Sequence, residues 1–125
     1  MPIKYFTVQE ANDLLPQIAP LMGQLLERRA RAVTRRQALG PLLDDYRSNV
    51  GGTAASELVR DFDAIETLLQ QIVGFGVEVK DVNAGLIDFL SRRDGREVYL
   101  CWRYGEPRIA FYHDLETGFN GRQPL

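Results

Sequence analysis

Residues 101 to 113, "CWRYGEPRIAFYH", hold the only cysteine, the only tryptophan and the only histidine of the chain. A cysteine and a histidine are the raw material of a nucleophile and its base, provided that the side chains come within hydrogen-bond reach. The same histidine has Asp114 and Glu116 near it in sequence, and a helix could bring Glu10 or Asp13 to it. Histidine with carboxylates can bind a divalent cation, with His113 and Glu116 as the candidate ligands, although paired Cys/His spacing is absent. The competing structural readings are a small packed thiol and a histidine donating to a backbone or carboxylate oxygen at the core edge. Ser48, Ser56 and Ser91 lie in no nucleophile-elbow motif. "GFGVEVKD" precedes a strand instead of opening a helix, so its glycines form no phosphate loop.

Strands must position these residues. "VEVKD", "GLIDFLS", "REVYLCWR" and "RIAFYHD" have period two and are separated by turn signals, which predicts an antiparallel β-meander. Asp94-Gly95 is a two-residue hairpin turn by composition. It pairs Arg93 with Arg96, Phe89 with Leu100 and Ile87 with Trp102. With Gly105 and Glu106 at the next tip, Arg103 faces Arg108, Trp102 faces Ile109, Leu100 faces Phe111 and Val98 faces His113. Side chains alternate between faces. Ile87, Phe89, Val98, Leu100, Trp102, Ile109, Phe111 and His113 then share an apolar face, with Ser91 at its end. Asp88, Tyr99, Cys101, Arg103, Arg108 and Tyr112 share the mixed face. Cys101 and His113 are thus expected to point apart, which removes the nucleophile and base. The mixed face, with Arg122 from the tail, becomes the candidate binding surface: Asp88, Tyr99, Arg103, Arg108, Tyr112 and Arg122. Asp88 is expected to pair diagonally with Arg103.

Ahead of the strands, Thr7 with Glu10 predicts a capping box and Phe6 a hydrophobic staple, so a helix begins near Val8. Pro16 and Pro20 predict a kink or restart. Ala11, Ile18, Leu25, Ala32 and Leu39 recur every seven residues, with Leu14, Leu21 and Leu42 on a companion row that Arg28 and Arg35 interrupt. Gly40-Pro41 and Gly51-Gly52 predict the reversal. Leu58, Phe62, Ile65, Leu69 and Ile72 mark a second helix, closed by "GFG".

The chain has 125 residues, 45% hydrophobic and 26% charged, which suits one globular domain. A net charge of −2 gives no global field for nucleic acid. The arginines from Arg28 to Arg36 are expected to lie on a solvated helix surface and, in a bundle of paired hairpins, at its margin, able to meet Asp61 or Asp63 of a neighbouring helix. No apolar run approaches the roughly 20 residues of a membrane span, and a lone cysteine makes no internal disulfide. The expectation is a cytoplasmic protein without cofactor, membrane or nucleic-acid partner.

"FTVQEANDLLP", "GVEVKD", "GLIDF", "GREVYLCWRYGEP", "IAFYH" and "GFNGRQPL" together resemble a bacterial family catalogued as domain of unknown function 2203. The resemblance covers nearly the whole chain outside residues 40 to 55. It implies a helical hairpin with a sheet and carries no catalytic residue over. The fold expected is α+β: an antiparallel helical hairpin (8–73) packed on a small antiparallel β-meander (77–113), with a tail (114–125), in one domain over 1–125. Leu14 with Leu15, Leu21 with Met22, Leu25 with Leu26 and Leu68 with Leu69 spread apolar surface around the helices, which predicts a homodimer. The functional expectation is a non-enzymatic, self-associating interaction domain. The alternative is a small-molecule- or metal-dependent enzyme using the Asp88/Arg103 face or the His113 corner, its ligand unspecified.

Overall fold

Thr7 opens the first helix through a reciprocal pair. Glu10 N–H donates to Thr7 Oγ1 at 3.1 Å, and Thr7 N–H donates to Glu10 Oε1 at 3.0 Å, the capping box that the spacing predicts. Phe6 is buried edge-on against Phe89, with ring centroids 5.3 Å apart. The computed structural model describes residues 3–43 and 50–125, with the side chains of all of these but 40–43 and 50–51. It contains α1 (Val8–Leu43), α2 (Val50–Val73) and five strands: β1 (Glu78–Asp81), β2 (Leu86–Arg93), β3 (Arg96–Arg103), β4 (Phe111–Asp114) and β5 (Gln123–Pro124). The sheet is antiparallel throughout, in the order β1-β2-β3-β4-β5. This is the expected α+β arrangement, extended by one edge strand from the tail.

α1 runs through Pro16 and Pro20 without interruption, so the helix does not restart there. A proline inside a helix costs about 3 kcal/mol, whereas each large apolar side chain buried contributes about 1.5–3 kcal/mol. Ile18, Met22 and Leu25 are all fully buried along that stretch, so packing outweighs the local penalty. The seven-residue row of Ala11, Ile18, Leu25, Ala32 and Leu39 is buried along its whole length. Both helices extend past the limits read from glycine and periodicity, to Leu43 and from Val50. The reversal between them, and the Leu42 side chain, lie outside the described residues. α2 closes where Gly74 N–H donates to the Gln70 carbonyl at 2.9 Å and Gly76 takes a φ of 89°.

Phe6, Ile18, Met22, Leu25 and Ile72 from the helical side meet Ile87, Phe89, Leu100 and Trp102 from the sheet in one core. Leu15 and Met22 are buried by the chain itself, and Leu14, Leu21, Leu26, Leu68 and Leu69 pack partly buried on the same core. Part of the surplus apolar side predicted on the helices is therefore covered within one chain. A second, smaller cluster of Ala32, Leu39 and Leu58 contains no sheet residue. Among the described residues this cluster is built from the two helices alone.

The β2–β3 register matches the prediction, with Arg93 opposite Arg96, Phe89 opposite Leu100 and Ile87 opposite Trp102. Asp94 (φ 52°) and Gly95 (φ 77°) form the left-handed turn that this pairing needs. The β3–β4 register does not match. Tyr99 faces His113, Leu100 faces Tyr112, Cys101 faces Phe111 and Val98 faces Asp114. The ladder has slipped by one position. Glu106 N–H donates to the Arg103 carbonyl at 3.0 Å, which centres the turn on Tyr104 and Gly105 (φ 102°), one position before the expected Gly105-Glu106 tip, and the strand does not resume. Pro107 has no N–H to give a ladder. The Glu106 carboxylate takes the Arg103 N–H at 2.6 Å, and Asn12 Oδ1 of α1 takes the Ile109 N–H at 2.8 Å. These bonds hold residues 106–109 out of the β3 ladder, and β4 starts only at Phe111, one position out of the expected register. A slip of one residue turns every side chain of a strand to the other face.

Candidate functional site

The slip brings His113 to the face that carries Asp88 and Cys101. Asp88 on β2 and Cys101 on β3 are direct register partners, as predicted, and β4 now turns His113 toward them. One Asp88 carboxylate oxygen, Cys101 Sγ and one His113 ring nitrogen lie within 4.8 Å of one another. The expectation that Cys101 and His113 point apart is overturned by this geometry. All three are buried, at 1%, 0% and 2% exposure.

Hydrogen bonds define the cluster's chemistry. His113 Nδ1 lies 2.7 Å from the Asp114 carbonyl oxygen, which can only accept, so Nδ1 carries a hydrogen and donates it. Nε2 lies 3.0 Å from Asp88 Oδ2. Both ring nitrogens are thus engaged, and neither is free to take a proton from the thiol. Burial pushes the Cys101 thiol up to about 12, with the nearby Asp88 charge adding to the effect. A thiol held protonated and sealed from solvent is no nucleophile, so the catalytic cysteine fails although the two residues do share a face. Burial also raises the Asp88 carboxyl above its ordinary range, against the opposing pull of His113. Asp88 Oδ1 is buried with no hydrogen-bond partner among the described residues. Leaving such an acceptor unsatisfied costs about 1–3 kcal/mol.

The C-terminal tail seals the cluster. Arg122 Nη2 donates to both Glu106 carboxylate oxygens, at 2.9 and 2.6 Å. Its guanidinium stacks over the rings of Phe111, 4.1 Å from the centroid, and Phe119, at 4.6 Å. Since Phe111 lies opposite Cys101, this places the arginine above the cluster's face. A 3₁₀ turn at Phe119–Gly121 and β5 hold the tail there, with Leu125 N–H donating to the Ala110 carbonyl at 3.0 Å. Lys80 covers the other side, its Nζ 4.5 Å above the Tyr99 ring.

The predicted binding surface is therefore divided. Asp88, Tyr99 and Arg122 come together, but Asp88 pairs with His113 instead of Arg103. Arg103 is exposed, 5.8 Å from the Phe119 centroid, and makes no ion pair among the described residues. Arg108 is exposed in the connection after the turn, so it does not face Arg103. Tyr112 has turned to the helix side, where it packs partly buried on the core and its hydroxyl meets Gln123 at 3.1 Å. Glu116 is exposed and does not join His113, so the predicted metal pair is not assembled. Sequence reasoning missed Glu106 as the partner of Arg122 and Cys101 as the companion of His113. Pro107 directly after the turn was the available signal.

A second charged feature lies in the hairpin. Asp61 on α2 is fully buried between two arginines of α1: Arg35 Nη1 donates to Oδ2 at 2.7 Å, and Arg28 Nε contacts Oδ1 at 2.9 Å without aligning as a hydrogen bond. Arg28 and Arg35 are thus not a solvated surface. Beside this cluster Val33, Val59 and Phe62 stay exposed at 43%, 56% and 51%. Val33 and Phe62 line a shallow groove with Ala32, Ile65 and Val82, rimmed by Arg29 and Arg36.

No helix among the described residues is long and apolar enough to cross a membrane. No curated protein and no solved structure matches the chain. Residues 4–125 match the model of a family described as an uncharacterized conserved protein, DUF2203, and they include the strands, tail and turn that build the sealed cluster; the chain belongs to that family.

Proposed function

We propose that the protein is a non-enzymatic interaction domain of the cytoplasm that associates with a second copy of itself through the far half of its helical hairpin. The observation carrying this reading is the exposure of Val33, Val59 and Phe62 on that part of the hairpin, where the buried cluster comes from the two helices alone. Ile3, Leu115, Phe119 and Leu125 are exposed too, but they stand near the chain's two ends, whereas Val33, Val59 and Phe62 lie together on the helical hairpin with little cover from the described residues. Phe62 and Val33 sit on flanks of α2 and α1 that line one groove. Two hairpins laid together across a twofold axis would bury both flanks in a four-helix arrangement. Arg29 and Arg36 on the rim would stay in solvent, where they set orientation more than affinity.

Catalysis at the sheet face is less well supported. Asp88 is sealed, and Arg103 points elsewhere. A substrate would have to displace the Arg122–Glu106 pair to reach the cluster.

Light scattering across micromolar concentrations tests self-association. The expected mass is twice the 14.2 kDa of one chain, returning to the single-chain value in Phe62→Glu. A wild-type mass of one chain at every concentration would overturn the reading.

A further inference from the structure

Asp88, Cys101 and His113 are used by nothing in the interaction reading. They form a donor set of mixed kind, a carboxylate, a thiol and an imidazole, with ligand atoms within 4.8 Å of one another. All three residues are at least nine-tenths buried. The ring of His113 is oriented as in metal-ligating histidines, which donate one ring N–H to a carbonyl and present the other nitrogen to the ion. Here Nδ1 donates to the Asp114 carbonyl, and Nε2 points inward to Asp88. Asp88 Oδ1 is an acceptor without a donor, buried beside these groups.

We propose that Asp88, Cys101 and His113 bind one divalent cation of the zinc type, which ties β2, β3 and β4 together beneath the C-terminal tail.

Charge favours this occupant. Binding displaces the Cys101 thiol proton, which leaves with water as the ion enters; the carboxylate and the thiolate then carry two negative charges that the divalent cation neutralises, with the imidazole uncharged. Ligand type favours zinc over magnesium or calcium, because thiolate and imidazole are poor partners for hard cations. Distance permits it after a small adjustment. Bonds of about 2.0–2.3 Å around a tetrahedral ion put ligand atoms about 3.3–3.8 Å apart, so a separation near the 4.8 Å limit must close by on the order of 1 Å, while His113 Nε2 and Asp88 Oδ2, at 3.0 Å, must move slightly apart. Three protein ligands leave a fourth position for a water molecule. The entry path is the tail, held over the site by the Arg122–Glu106 pair and the two-residue strand β5.

Cobalt(II) is a suitable probe, because a thiolate ligand gives it a charge-transfer absorption that oxygen and nitrogen ligands do not. Titration of the full chain, free of any affinity tag and stripped of metal, should saturate at one cobalt per chain with that absorption, and zinc should displace it. Cys101→Ser should abolish the band, and His113→Asn should weaken binding by at least roughly a hundredfold, beyond what outer-shell losses cost. Absence of the band in the wild-type chain, or wild-type affinity in both variants, would overturn the site. Should a variant fail to fold, the wild-type chain still decides. Zinc should slow labelling of Cys101 in moderate denaturant, and an unchanged rate contradicts the proposal.

Discussion

Tyr99 and His113 face each other across the β3–β4 ladder, with ring centroids 5.5 Å apart. Had the strand resumed at Arg108, Val98 would stand opposite the histidine, and the imidazole would lie on the helix side. One position of register thus separates a histidine at the core edge from one in a cluster with a cysteine and an aspartate.

Cys101 should be inert in the folded protein. It is fully buried, and its thiol is pushed up to about 12, so the thiolate that a labelling reagent needs is scarce and enclosed. Reaction requires the tail to open. Labelling near pH 8 should be roughly a hundredfold or more slower in the native chain than in denaturant, the ratio reporting the opening equilibrium. Stoichiometric labelling at the unfolded rate would mean that the tail does not cover the sheet.

Trp102 should be the most costly single truncation on the sheet. It is 1% exposed, and its Nε1 donates to the Glu106 carbonyl at 2.9 Å. Trp102→Ala removes that donor and leaves a cavity, so about 3–5 kcal/mol of stability should be lost. Urea denaturation followed by circular dichroism measures it. A loss below about 1 kcal/mol is incompatible with a tryptophan at the centre of the core.

The capping box at Thr7 should be visible as a pH effect. The Thr7 backbone N–H, and then its hydroxyl, hold the Glu10 carboxyl below its ordinary 4.5. Because the folded value is depressed, the stabilisation is present above the ordinary value and disappears as pH falls through the folded one. NMR titration should place Glu10 below 4.5 in the wild type. In Thr7→Ala it should return toward that value, and an identical midpoint in both would show that the box does not form in solution.

Local signals carried most of the fold. The Thr7–Glu10 spacing, the Asp94-Gly95 turn and the seven-residue row from Ala11 to Leu39 each depend on residues close in sequence, and each produced the expected element. The β3–β4 register depends on Asn12, far away on α1, which draws the Ile109 N–H out of the ladder. Composition between Gly105 and Ala110 does not reveal that contact. Pro107 does rule out a two-residue tip followed at once by a paired strand. The Asp88–Cys101 half of the cluster was legible from the β2–β3 turn, and the His113 half was lost with the register. Arg122 lies over the sheet's mixed face on a tail that ends in a strand, while its partner Glu106 passed as a turn residue.

Arg28 and Arg35 interrupt the companion row because they serve one carboxylate. Asp61 is fully buried, whereas the side chains of Arg28 and Arg35 remain 34% and 36% exposed. That difference sets an order of damage. Asp61→Ala leaves two arginines whose long side chains can turn to solvent, so the loss should be about 1.5–3 kcal/mol, the range for hydrogen bonds to charged groups. Removing both arginines leaves a carboxylate between two helices with no route to water, and an uncompensated buried charge costs about 3–5 kcal/mol. The Arg28→Ala/Arg35→Ala double variant should therefore be less stable than Asp61→Ala. Adding Asp61→Ala to it should restore part of the stability, because the stranded charge is gone. Denaturant midpoints of the three variants test the order. A triple variant weaker than the double would show that Asp61 reaches solvent without its arginines.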